Sequence, residues 1–376
     1  TRLVLRSLRE RTDLDIYINP VNWGSTSWSF EPGLEREYLS QLVAKTAQNY
    51  QNVPQEQWAS IFDIYVHVGI PNEFVKKGKY CVSVNAGIET NKVSPNWLIK
   101  TYEGIDKMIV PSEHSKAVFL NTSYKAVDRT TNQEVDLRIN CPISVVPYPV
   151  KSFDKQEQLI DLEDDFNFLS VALWGPRKNM ERMLRWYVRE FKDESVGLVM
   201  KTGIARTCKM DRERIQNVVT NVLEPLGERK CKVYLLHGSL TDSEIHSLYE
   251  HPKIKSYITT SHGEGFGLPI FEAAYSGLPV IATDWSGHLD FLTGTIRENK
   301  KIKIKKLFAK VDFEMKPIDK NIVWKDILVE DSMWAHCSER SFRKQLRNVY
   351  KNHGMYQKWA TSLKEQVHTT HSREKI

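Results

Sequence analysis

Residues 261–292, SHGEGFGLPIFEAAYSGLPVIATDWSGHLDFL, restrict this chain more than any other segment. They follow an apolar run at 257–260 (YITT) and contain another at 279–283 (PVIAT). Between the runs lie a loop with glycine at 263, 265 and 267 and one helical stretch, 270–276. Pro269 suits the first turn of that helix and Gly277 its C-terminal stop. Strand, glycine-rich loop, helix, strand is the repeating order of a doubly wound sheet, where ligands bind beyond the carboxyl ends of the strands. Glycine lets the main chain approach a ligand closely, and the free amides of a helix start suit a diphosphate. Glu264 lies on the loop and Glu272 on the first turn of the helix, eight positions on, so both carboxylates can face one pocket. A carboxylate only accepts hydrogen bonds, which suits the vicinal hydroxyls of a sugar or ribose.

The same alternation runs along the rest of the chain. The spacing predicts a helix over 1–11 and strands at 14–18, 61–68, 80–84, 108–110 and 143–146, with a loop at 22–28 (NWGSTSW) and Ser112 capping a helix over 113–120. A polar, acidic, proline-bearing stretch follows, with 151–165 as the linker between domains. Further strands are expected at 168–173, 196–201 and 233–236, with helices at 179–191, 212–226 and 242–249 and one or two more in 338–368. The expected fold class is α/β, with two similar doubly wound domains, 1–150 and 166–337, facing across a cleft. The helices of 338–376 are expected to return to the first domain. Residues 297–306 (RENKKIKIKK) read as an edge hairpin or loop whose lysines discourage edge pairing, with a polyanion contact as the alternative.

Composition narrows the class. Of 376 residues, 41% are hydrophobic and 27% charged, as in a globular domain pair of roughly 150–200 residues each. No apolar run reaches the length of about 18 residues that a spanning helix needs. The sequence opens on Thr1 with no signal-type segment, and a cytoplasmic location is expected. The five cysteines, Cys81, Cys141, Cys208, Cys231 and Cys337, form no CxxC pair and read as reduced thiols. A net charge of +6 permits an anionic partner without requiring one.

The string GEGFGLPIFEA with GLPVIAT resembles the E-x7-E motif of retaining GT-B glycosyltransferases, above all family 4 of the glycosyltransferase classification. The resemblance implies that Glu264 contacts the transferred sugar and Glu272 the ribose, with Gly263, Gly265, Phe266, Gly267 and Leu268 supplying the loop around sugar and phosphate. PRKN at 176–179 matches the family's diphosphate lysine with Lys178. An arginine common in the family is replaced by the pair Ala172 and Leu173, so Arg177 or Lys201 is expected to supply the second cation. His237 and Gly238 match the unit beside the nucleobase, with Leu240 packing on the base. In the first half, FDIYVHVGIP resembles the strand that carries an active-site histidine, which makes His67 a candidate for the sugar or acceptor side. Trp23, Glu89 and Ser112 are implied on the acceptor side. The family starts with a strand and glycine-rich loop before its first helix; here Thr1 already reads as that helix, so the strand and loop either precede Thr1 or are absent, and their absence would impair donor binding. No DxD-type metal site is present at a strand end, so no metal and no cofactor are expected beyond the nucleotide-diphosphate sugar, guessed as UDP-glucose-like.

NWGSTSW, VHVGIPNEF and NAGIETNKVSPNW resemble segments of glycosyltransferases encoded by tailed phages. That resemblance implies double-stranded DNA bearing 5-hydroxymethylated pyrimidines as the leading acceptor, in the host cytoplasm. A saccharide, lipid-linked or protein acceptor in envelope glycan synthesis is the alternative. A UDP-sugar epimerase or hydrolase of GT-B fold is a second, and an inactive sugar- or DNA-binding protein a third. No integral membrane contact is expected, and the oligomeric state is not legible.

Overall fold

A computed structural model of the chain describes residues 2–21, 33–128, 130–153, 159–298 and 301–376. Trp23 and the expected loop at 22–28 lie outside the described residues.

Two parallel sheets organise the molecule. The first runs β1 (Phe62–Val68), β2 (Gly78–Val84), β3 (Lys107–Val110) and β4 (Ile143–Val145), paired in that order. The second contains β5 (Asn167–Val171), β6 (Gly197–Lys201), β7 (Lys232–Leu236), β8 (Ile254–Ile258), β9 (Val280–Thr283) and β10 (Ala309–Val311). Its spatial order is β10-β9-β8-β5-β6-β7, all parallel. The chain winds outward from β5 to β7 and then restarts at β8 on the other side. The order therefore reverses between β5 and β8, and in such sheets the crevice at that reversal is where ligands bind.

The second sheet is covered on both faces, as its buried central strands require. Phe168, Leu198 and Met200 face a core built with Met183, Tyr187 and Phe191 of the helix Met180–Phe191. Leu169, Val199, Tyr257 and Ala282 face the opposite core, with Ile270, Phe271 and Ala274 of the helix Leu268–Ser276. The first sheet has smaller cores around Trp97, Leu98, Met108 and Phe119, and around Phe74, Cys81 and Ile105.

Several expectations are corrected. Residues 14–18 form no strand: the amide of Ile18 donates to Thr46 Oγ1 at 2.9 Å instead of to a ladder. The C-terminal helices Glu339–Lys351 and His353–Thr370 pack on the second domain, not the first. Phe342, Leu346 and Val349 complete the core beside Trp186 and Phe191, and Arg347 Nε donates to Glu190 Oε1 at 2.7 Å. Two hairpins were not anticipated, Tyr124–Val127 with Glu134–Leu137 and Phe313–Pro317 with Met333–Cys337. The second reaches across to the first domain. Asn96 Nδ2 donates to Asp326 Oδ1 at 2.6 Å, the Met333 amide donates to Asn91 Oδ1 at 2.6 Å, and Ile327 packs on the first domain's core. The described residues of 297–306 lie in a hairpin, Thr293–Glu298 with Lys301–Lys306.

Candidate active site at the strand-order reversal

Two loops meet where β5 and β8 end. After β5 the chain runs to a tight turn, Pro176–Lys178, and enters the next helix through Asn179 at φ 52°. Asparagine tolerates this left-handed conformation better than most residues. Its Nδ2 donates to Thr260 Oγ1 at 3.2 Å, and the His262 amide donates to the Arg177 carbonyl at 2.8 Å. The turn and the glycine-rich loop are thus fastened together before any side-chain chemistry is considered.

That fastening sets Glu264 between two cations. Lys178 Nζ donates to Glu264 Oε1 at 2.5 Å, and Arg177 Nη1 donates to Oε2 at 3.2 Å and to the Gly263 carbonyl at 2.8 Å. The Glu264 amide donates to Ser286 Oγ at 2.9 Å. Glu264 is buried, which raises its carboxyl pKa, but Lys178 and Arg177 outweigh burial and hold it at about 2. Arg177 also reaches the first domain, where its Nη2 lies 2.7 Å from Glu89 Oε1. Burial pushes the Glu89 carboxyl up, against the pull of Arg177 and with Glu264 adding to the rise. The cluster holds two carboxylates and two cations at the strand-order reversal.

The glycines at 263 and 265 serve the closeness of the two domains. A Cβ on Gly263 would sit 2.0 Å from the Glu89 carbonyl oxygen, and one on Gly265 would sit 2.7 Å from the carbonyl carbon of Gly87. Gly87 itself is at φ 106°. Gly267, at φ 90°, starts the helix Leu268–Ser276. Phe266 is buried among Tyr148, Phe271 and Phe291, while Leu268 is exposed.

Ser112 does cap the helix Glu113–Asn121, accepting from the Ser115 amide, but it is wholly buried. Its Oγ donates to the Gly265 carbonyl at 2.6 Å, so it ties the domains together rather than lining an open surface. Beside it the Glu113 amide donates to Asp290 Oδ2 at 2.7 Å, a helix start in one domain capped by a carboxylate of the other. His114 meets Trp285 edge-on across the same boundary, with centroids 4.9 Å apart.

Glu272 lies one turn into its helix, not on the first turn. Tyr249 Oη donates to its Oε2 at 3.0 Å, and burial raises its pKa. Lys201 Nζ donates to the Gly238 carbonyl at 2.7 Å, and burial lowers its pKa. His237 Nε2 lies 2.9 Å from Asp211 Oδ2. Leu240 packs against the core behind the helix Leu268–Ser276. No hydrogen bond or ion pair links these residues to the Glu264 cluster. His67 is buried, its Nε2 lies 3.2 Å from the Ile70 carbonyl, its Nδ1 lies 3.5 Å from Tyr65 Oη, and its ring meets Phe74 edge-on. Burial lowers its pKa, which favours the neutral ring.

Sequence reasoning missed Asp211, Ser286 and Asp290. Asp211 stands third in the helix Lys209–Leu223, a place where an acid signals a helix start, and it accepts from the amides of Ile204 and Ala205 at 3.0 and 3.1 Å. Asp290 stands second in the short helix Leu289–Leu292 and carries the same signal, whereas Ser286, at φ 90°, carries none. Among the described residues, no group of three or more His, Cys, Asp or Glu side chains is arranged to hold a metal ion.

Residues 227–300 match the family model described as glycosyl transferases group 1. Serotype-specific mannosyltransferase WbdA of Escherichia coli is 24% identical over 183 residues, which are 49% of this chain and 21% of that protein. The match thus spans about a fifth of the length of that curated relative. Among solved structures, TarM superposes with a TM-score of 0.52 at 15% identity, covering 83% of this chain and 53% of its own. Sucrose-phosphate synthase from Thermosynechococcus elongatus gives 0.52 at 13% identity, covering 90% and 76%. HepE of Anabaena, solved in complex with UDP and glucose, gives 0.51 at 12%, covering 88% and 78%. The fold is GT-B.

Proposed function

We propose that this chain is a glycosyltransferase that moves a sugar from a nucleotide-diphosphate sugar to an acceptor hydroxyl. The observation that carries the reading is the Glu264 cluster. A buried carboxylate lies under two cations at the strand-order reversal of a GT-B fold, with Glu272 eight positions further on.

The chemistry follows from charge. When the bond between sugar and diphosphate breaks, positive charge grows on the sugar and negative charge on the leaving group. Lys178 and Arg177 would stabilise that leaving group, and both are already held in place by Glu264. Glu264, freed in part as the cations turn to the diphosphate, would accept hydrogen bonds from the sugar hydroxyls. Glu272, with one oxygen held by Tyr249, would offer the other to the ribose. The loop before Leu268 would supply amides to the sugar and phosphate. Lys201, Gly238 and Leu240 would border the base, and Glu89 the acceptor side. We assign the retaining course and independence from metal by the same resemblance.

The match to a serotype-specific mannosyltransferase favours a cell-envelope glycan as acceptor over a hydroxymethylated DNA base. The HepE structure, which holds UDP and glucose, supports a nucleoside-diphosphate hexose as donor. The test is a panel of UDP- and GDP-linked hexoses, offered with saccharide, lipid-linked and hydroxymethylated-DNA acceptors and read by product mass. A sugar added to a saccharide or lipid-linked acceptor and lost in Glu264→Gln supports the reading. Donor turnover that needs no acceptor would make the protein a hydrolase or epimerase, and a glycosylated base would restore the DNA acceptor.

A further inference from the structure

The hairpin Thr293–Glu298 with Lys301–Lys306 takes no part in the Glu264 cluster. Its strands pair from Thr293 opposite Lys306 to Glu298 opposite Lys301. Side chains alternate along a strand, so Thr295, Arg297, Ile302 and Ile304 share one face, and Gly294, Ile296, Lys303 and Lys305 share the other. The second face is committed to the protein. Ile296 packs against the core, Lys305 Nζ lies 4.4 Å over the Trp359 ring, and a Cβ on Gly294 would sit 2.8 Å from Gln366 Oε1. The first face is open: Ile302 is 76% exposed and Ile304 78%, with Arg297 exposed beside them. Residues 297–306 carry six lysines and arginines against one glutamate.

Lysines on an outer strand discourage pairing with another chain, and that accounts for the charge. It does not account for two isoleucines side by side in water, where threonine or a further lysine would protect the edge better. A nucleic acid would engage the charge and leave the isoleucines wet. An acidic bilayer engages both, because cations meet the headgroups while short apolar side chains enter the interface.

We propose that this hairpin docks the protein on an anionic lipid bilayer, with Ile302 and Ile304 inserted, Arg297 on the same face against the headgroups, and the exposed Lys301 reaching them from the end of the hairpin. No described helix is long and apolar enough to cross a membrane, so the contact is peripheral. The proposal stands independently of the transferase reading. Where both hold, the acceptor is a lipid-linked glycan brought to the enzyme at the membrane.

The experiment is vesicle co-sedimentation of the full chain, with no sugar donor present, so that its result does not depend on the catalytic reading. Vesicles of phosphatidylcholine alone are compared with vesicles that also contain phosphatidylglycerol, and a duplex DNA is added as competitor. Binding is expected only to the acidic vesicles, weakening with salt. It should fall about tenfold or more in Ile302→Ser/Ile304→Ser and in Arg297→Glu/Lys301→Glu. Both variants lie on exposed strand positions, and unchanged thermal unfolding shows that they are folded. Absence of binding to acidic vesicles overturns the proposal. So does undiminished binding by the isoleucine variant, which would mean adsorption by charge alone. Displacement by duplex DNA, with the isoleucine variant binding DNA normally, assigns the surface to nucleic acid instead.

Discussion

Arg177 Nη2 lies 2.7 Å from Glu89 Oε1, an ion pair that joins the loops of one sheet to those of the other. The same guanidinium holds Glu264, so the proposed catalytic carboxylate and the closure of the domains share one side chain. The pair is partly open to water, with side-chain exposures of 24% and 37%, so its stabilising effect is modest. In Glu89→Gln the loss of this pair and the relief of a buried charge oppose each other, so stability should change by less than about 1 kcal/mol. The substitution should also enlarge the radius of gyration seen by small-angle scattering as the domains part more often. An unchanged radius would mean that the glycine contacts alone keep the domains closed.

Removing Lys178 leaves a buried carboxylate with one cation. Lys178→Met should cost about 2–4 kcal/mol, because an under-compensated buried charge is expensive. Glu264→Gln in the same background should recover part of that loss, and denaturant titrations of the four proteins give the coupling directly. The pH dependence has a definite sign. The Glu264 carboxyl sits at about 2, below its ordinary 4.5, so its contribution is present above 4.5 and is lost as pH falls from there through 2. Glu264→Gln should flatten that acid limb.

Gly265→Ala tests the approach of the main chains. The added methyl would sit 2.7 Å from the Gly87 carbonyl carbon and 2.8 Å from its Cα, where neither backbone has a flexible end to yield. A loss of about 2–3 kcal/mol is expected, together with loss of transfer. Gly175→Ala is the control, since no atom lies within 4 Å of its added Cβ. Equal behaviour of the two would refute the close-packed boundary.

Asp290 carries the opposite sign to Glu264. Burial raises its carboxyl to about 6, although the Glu113 amide it caps pulls the other way. A raised acid favours the fold below its unfolded pKa of 3.8, and that advantage disappears as pH rises through 6. Asp290→Asn keeps an acceptor for the amide and removes the charge. It should be stabilising above pH 6 by on the order of 1 kcal/mol and neutral near pH 4, as read from melting temperatures across that range.

His67 separates a structural part from a chemical one. Its contacts with Ile70, Tyr65 and Phe74 all lie within the first domain. His67→Gln should reduce stability by about 1–2 kcal/mol while kcat changes by less than about threefold. A kcat loss of orders of magnitude at unchanged stability would return His67 to the reacting centre.

The alternation of strands and helices was legible in the sequence because each element depends on neighbours a few positions away. Apolar runs mark β5, β6 and β9, Pro269 and Gly277 bound the helix Leu268–Ser276, and Ser112 caps the helix Glu113–Asn121. The loop that carries Glu264 and the turn that carries Lys178 were legible for the same reason. The hairpin of Phe313–Pro317 with Met333–Cys337 was not, because the alternation of Phe313–Pro317 lasts only five residues and ends on a proline, and Met333–Cys337 does not alternate. The docking of the C-terminal helices was hidden too, since Phe342 and Leu346 reveal an apolar face but not the partner it meets. Only the tertiary structure decided that Gly265 would face Gly87, that Asp290 would cap a helix 177 positions earlier, and that Ser112 would bond Gly265 across 153 positions. Local pattern encodes which faces are apolar and where turns fall. Contacts between two separately wound domains depend on how their loops meet in space, and no period in the chain records that.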